Sequence, residues 1–107
     1  MIDVSIKKRH RDFTSLTTKG HALFDETGKD IVCAAVSVLI INTINSIEKY
    51  ADCNLSVVSD QDEGYIDCNI ENPCAESNLL MKSLILGLSE IRKTYSEEYV
   101  KITIKEV

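Results

Sequence analysis

The chain has 107 residues, 44% of them apolar and 27% charged, which suits one globular domain with a modest core and excludes an intrinsically disordered chain. A formal net charge of −5 argues against a nucleic-acid-binding surface and fits solubility or a basic protein partner. Two Phe, four Tyr and no Trp leave the core to branched aliphatic side chains.

The opening MIDVSIKKRH alternates apolar and polar residues instead of building an apolar block, so no secretory leader is expected and the chain reads as cytoplasmic. Ile2, Val4 and Ile6 share one face, which predicts a half-buried strand over 2–8. The basic cluster KKRHR at 7–11 closes that strand and reads as solvated charge. A turn from His10 to Asp12 leads into a second, more polar strand over 13–19. Gly20 breaks the pattern, and residues 22–29, with Gly28 and no period, read as a loop.

From Asp30 the run IVCAAVSVLIINTINSIEKY holds no Gly or Pro over 31–50, too long for a strand, so it predicts a helix with Asp30 as N-cap. Apolar residues surround its first half, which suggests a central helix packed on several sides. The longest apolar run, 31–41, is shorter than the ~20 residues needed to cross a bilayer. Strands at 54–59 and 65–71 flank DQDEG as a hairpin, with Gly64 ending the turn. Asn72 then reads as N-cap and Pro73 as first residue of a second helix, with Leu80, Leu84, Leu88 and Ile91 on its apolar face. Val100, Ile102 and Ile104 mark a last strand. The order ββαββαβ predicts a single α+β domain, 1–107, with helices packed on a mainly antiparallel sheet.

Cysteines lie at 33, 53, 68 and 74 without a CxxC pair, and two histidines complete no zinc site. Free thiols, no metal and no cofactor are therefore expected. The segment GHALFDETGKDIVCAAVS at 20–37 concentrates the chemistry. With Asp30 as N-cap, Cys33 is the third helical residue, near the positive end of the helix dipole, which favours its thiolate. His21 can serve as its base across a foldable loop, and Ser37 lies one turn further along the same helix face. The competing reading is plain packing, because free cysteine is among the most buried residue types. Cys74, also at a helix start, is the control, and it lacks a histidine with a plausible approach.

Gly20-His21-Ala22, followed by Gly28-Lys29-Asp30-Ile31-Val32-Cys33-Ala34-Ala35-Val36-Ser37, closely resembles the signature of the ribosomal-processing cysteine protease family, Prp. The likeness continues in LLMKSLILGLSEIRKTYSEEYVKI at 79–102. The resemblance implies a small homodimeric protease that removes the N-terminal extension of a large-subunit ribosomal protein, the one numbered twenty-seven. Under it Cys33 matches the nucleophile and His21 the base, while Asp30 and Ser37 match motif positions in supporting roles.

The resulting expectation is a Cys33–His21 endopeptidase. Free N–H groups at the start of helix 30–50 would hold the oxyanion. A lid over 22–29, with Ala22, Leu23, Phe24 and Gly28, would cover a hydrophobic peptide, and Asp30 would act as a structural cap. The alternative is a non-catalytic dimeric module bound to ribosomal components, with Cys33 and His21 merely packed.

Overall fold

The computed structural model describes residues 1–20, 27–60, 64–95 and 98–107, with residues 27–30 described by their backbone alone. Alternating apolar positions form β1 (Ile2–Arg9) and β2 (Asp12–Lys19), followed by α1 (Thr27–Tyr50). The hairpin β3 (Leu55–Asp60) and β4 (Tyr65–Ile70) leads to α2 (Ala75–Tyr95) and β5 (Val100–Glu106). The order ββαββαβ is the one expected. The five strands lie as β3-β4-β2-β1-β5. Three pairings are antiparallel and only β1–β5 is parallel, so the sheet is mixed but mainly antiparallel.

This order makes each helix a crossover. Since β2 and β3 each run antiparallel to β4, they are parallel to each other, and α1 carries the chain from one to the other with β4 between them. In the same way α2 carries it from β4 to β5, past β2 and β1. Ile2, Val4, Ile6, Leu16, Cys68, Ile70 and Val100 of the sheet share one core with Val32, Val36, Ile40, Ile47, Met81, Leu84 and Leu88 of the helices. A bulge in β2 places Lys7 opposite Ser15 but Lys8 opposite Phe13. The extra residue, Thr14, lets Phe13 and Leu16 both reach the core although their spacing breaks strict alternation.

Two helix starts differ from the expected ones. α1 begins at Thr27, so Asp30 is its fourth residue and not its N-cap, and Gly28 belongs to the helix rather than to a loop. A glycine costs a helix about 1 kcal/mol relative to Ala, too little to stop one whose next turns are buried. α2 begins at Ala75, so neither Asn72 nor Pro73 has the position expected for it. The Asn72 side chain instead accepts a bond from the Asn54 N–H at 2.7 Å, while the Glu71 N–H donates to the Asn54 carbonyl at 2.9 Å. Ser77 caps α2 in its place. The Cys74 N–H donates to Ser77 Oγ at 2.9 Å, and that hydroxyl donates back to the Cys74 carbonyl at 3.0 Å.

α1 is not covered on all sides either. Val32, Val36, Ile40, Ile44 and Ile47 form its buried stripe, whereas Ile31, Val38 and Ile41 are exposed. By length and composition Ile31–Tyr50 is apolar enough to cross a membrane, beyond what the run 31–41 suggested, but in this fold its buried stripe belongs to the domain core. Gly87 lets α2 approach α1 closely: a Cβ there would stand 2.8 Å from Leu39 Cδ1.

Candidate active site

The crossover that puts α1 over the β2, β4 and β3 side of the sheet leaves a groove of about 330 Å³. Cys33, Val36, Ser37, Ile40, Ile41 and Ile44 of α1 form one wall. The hairpin supplies the other through Val57, Ser59, Asp60, Tyr65 and Ile66, and Ile2 and Thr18 come from the central strands. A single half-buried thiol therefore stands on the wall of a largely apolar groove, with the exposed Ser37 hydroxyl one turn beyond it.

Helical periodicity explains why these side chains meet. Positions 33, 36, 37, 40, 41 and 44 recur every three or four residues and share a face. The same face carries the buried Val36, Ile40 and Ile44, which press the helix onto the sheet. The thiol is thus fixed by core packing and not by a loop.

Three sequence expectations change. Cys33 is the seventh residue of α1, not the third, so it lies almost two turns from the helix end. The dipole effect fades within the first turn, and the free N–H groups of a helix are its first four, here those of residues 27–30. The Cys33 N–H is therefore not among the candidates for an oxyanion site. The lid expected over 22–29 loses Gly28 to the helix. His21, Ala22, Leu23 and Phe24 lie outside the described residues, and of Asp30 only the backbone is described.

Gly20, which precedes His21, also lines the groove, and it is held tightly there. Its φ is 97°, and a Cβ would run into the Met1 carbonyl oxygen, so a side chain is excluded both by conformation and by space. Its N–H donates to the Gly64 carbonyl at 3.0 Å, which ties the end of β2 to the hairpin wall.

Sequence reasoning missed that wall. Val57, Ser59, Asp60, Tyr65 and Ile66 sit in two short strands with no chemical signature, and only the order of strands brings them opposite Cys33. The other cysteines lie elsewhere. Cys68 is core, and burial, helped by the Asp67 charge, pushes its thiol up to about 11. Burial, and then the nearby Cys74 thiol, push the Cys53 thiol up as well. Among the described residues no group of three or more His, Cys, Asp or Glu is placed to hold a metal ion.

A thiol on the wall of an apolar cleft, lined also by hydroxyls and a carboxylate, is an arrangement that can serve acyl transfer on a bound peptide. The family model described as cysteine protease Prp matches residues 1–101. The ribosomal processing cysteine protease Prp of Bacillus subtilis is 28% identical over 103 residues, covering 91% of this chain and 92% of that protein. The crystal structure of SMU.848 from Streptococcus mutans is similar with a TM-score of 0.88 and 33% identity, over 100% of this chain and 96% of that one. A ribosomal processing protease Prp from S. aureus, solved with a covalently linked product peptide, gives a TM-score of 0.86 and 25% identity, over 98% of this chain and 100% of that one.

Proposed function

This chain belongs to the cysteine protease Prp family and is a cysteine protease, and from that premise we propose that it removes the N-terminal extension of the large-subunit ribosomal protein numbered twenty-seven. Cys33 is the nucleophile and His21 its acid–base partner. The observation that carries the reading is the place of Cys33, alone among the four cysteines on the wall of the groove.

In the first half-reaction Cys33 Sγ, its proton taken by His21, attacks the scissile carbonyl carbon. The carbon–nitrogen bond breaks, a thioester forms, and His21 delivers the proton to the leaving amine. Water, deprotonated by His21, then cleaves the thioester and restores the thiol. The oxyanion draws its donors from outside the Cys33 turn, whose N–H the helix already uses. In this reading Ser37 hydrogen-bonds the peptide beside the thiol, and Leu23 and Phe24 cover its apolar residues. Asp30 keeps a supporting role in the first turns of α1.

Support for a peptide substrate comes from the apolar groove and from the S. aureus structure with its linked product peptide. The exposed Ile31, Val38 and Ile41 of α1, with Leu79 and Leu86 of α2, are in keeping with pairing of two copies. The setting we propose is the cytoplasm, where ribosomes mature. The test is incubation of the purified protein with the extended ribosomal protein. One defined N-terminal cut is expected, slowed on the order of 10²–10⁴-fold by His21→Ala. Full activity of His21→Ala sinks the dyad, and no cut at all sinks the substrate.

A further inference from the structure

We propose that Cys53 and Cys74 form a thiol pair that closes to a reversible disulfide by exchange with a small oxidised disulfide such as that of glutathione. The inference is independent of the peptide-cleaving reading, since neither thiol lines the groove.

The hairpin ladder sets the two side by side. Its last strand pair is Leu55 with Ile70, and the pairing runs on beyond it. The Glu71 N–H donates to the Asn54 carbonyl at 2.9 Å, and the Asn54 N–H donates to Asn72 Oδ1 at 2.7 Å. Cys53 is thus held across from the residues that lead into α2. Cys74 is the last of these, fixed through its N–H and carbonyl by Ser77 Oγ. The Cys53 thiol lies within hydrogen-bonding reach of the Cys74 thiol and of the Ser77 hydroxyl. Both cysteines are only half-buried and both thiols are free, so a small oxidant can reach them. Cys68 is 1% exposed and closed to such an oxidant, and Cys33 stands apart on the groove.

Burial, and then the nearby Cys74 thiol, push the Cys53 thiol up, which leaves the first attack to Cys74. Cys74 Sγ, as thiolate, attacks one sulfur of oxidised glutathione. That S–S bond breaks, a mixed disulfide forms, and one glutathione leaves as thiolate. Cys53 Sγ then attacks Cys74 Sγ and expels the second glutathione. The two protons given up by the protein thiols end on the two glutathiones, so two thiols are oxidised and one disulfide is reduced. The segments joined are already clamped by backbone bonds. The crosslink therefore takes little freedom from the folded state and much from the unfolded chain. In a reducing cytoplasm the pair stays open, and it closes when the glutathione pool is oxidised.

The test uses the Cys33→Ala protein, which removes the groove thiol from the chemistry. It is equilibrated in glutathione buffers of rising oxidised fraction, trapped with acid, and read by non-reducing peptide mapping. One crosslink, Cys53 to Cys74, should form and should revert with dithiothreitol. Cys53→Ser should stop at a glutathione adduct on Cys74. At a fixed glutathione ratio, the ratio of crosslinked to reduced protein should be about a hundredfold larger in the folded protein than in urea. The crosslinked form should accordingly melt about 10 °C higher than the reduced one. A crosslink that forms as readily in urea overturns the inference, because the fold would then contribute nothing to the pairing. It is also overturned if glutathione adducts persist on the two cysteines without closure, if Cys68 takes the place of either partner, or if neither cysteine reacts.

Discussion

α1 and α2 each carry a cysteine in their N-terminal part, and the two are placed differently. Cys74 stands at the very end of its helix, directly before Ala75, with its N–H and carbonyl both bonded to Ser77. Cys33 is the seventh residue of its helix, well past the free N–H groups. By distance from the helix end alone, Cys74 is the better nucleophile. It nevertheless packs against the core and takes no part in lining the groove of about 330 Å³ on which Cys33 opens. Position on a helix bears on how easily a thiol ionises, but room for a substrate decides whether the thiol has anything to attack.

The contrast is broken most directly by exchanging the two thiols' roles. Cys33→Ala or Cys33→Ser should abolish cleavage of the extended ribosomal peptide, while Cys74→Ser should stay within about twofold of the parent. A Cys74→Ser protein as dead as Cys33→Ser, with its fold intact by circular dichroism, would erase the distinction.

Alkylation sharpens it further. Iodoacetamide at neutral pH should label Cys33 first and Cys68 last, as read by peptide mass mapping. With its thiol pushed to about 11 from an ordinary 9.0, Cys68 should react about a hundredfold more slowly folded than unfolded, before any steric block. The same shift has a signed effect on stability. Between pH 9 and 11 the unfolded chain gives up the Cys68 proton and the folded one keeps it, so the stabilisation is complete below pH 9 and is lost as pH rises through 11. The urea midpoint should fall over that window, and Cys68→Ala should flatten the fall.

The smallest effect separates the two serines that attend these cysteines. Ser77→Ala removes the cap of α2 and should cost about 1–2 kcal/mol of stability with kcat/KM unchanged. Ser37→Ala, at an exposed site, should leave the denaturation midpoint alone and lower kcat/KM. Ser77→Ala with parental stability, or Ser37→Ala with parental kinetics, removes one side of the contrast.

Much of this was readable from the sequence because it is local. Period-two alternation located β1 and β5, turn signals located β2 and the β3–β4 hairpin, length located α1, and a spaced apolar face located α2. The cysteine on the groove, with Ser37 one turn away, also followed from helical spacing. What failed was of two kinds. Helix starts were misplaced where cap chemistry competes. Asn72 resembles an N-cap but binds the Asn54 N–H, and Gly28 resembles a breaker but is carried along by the buried turns after it. The hairpin wall was invisible, because Val57, Ser59 and Tyr65 acquire meaning only when the sheet order places β4 and β3 beneath α1.

The one parallel pairing also has a consequence in time. β1 forms its second edge with residues 100–106, so Ile2 lies beside Val100 and Ile6 beside Ile104. During synthesis, β1 can pair with β2 almost at once but must wait for the rest of the sheet to be translated before its other edge is covered. A contact spanning so much of the chain also slows folding through loop-closure entropy. Until it forms, Ile2 and Val4 border an open sheet edge, and Ile2 is also part of the groove floor. A ribosome-bound nascent chain stalled before residue 100 should thus be both prone to stick and unable to shape its substrate site, and release of the last strand is the step that completes the enzyme.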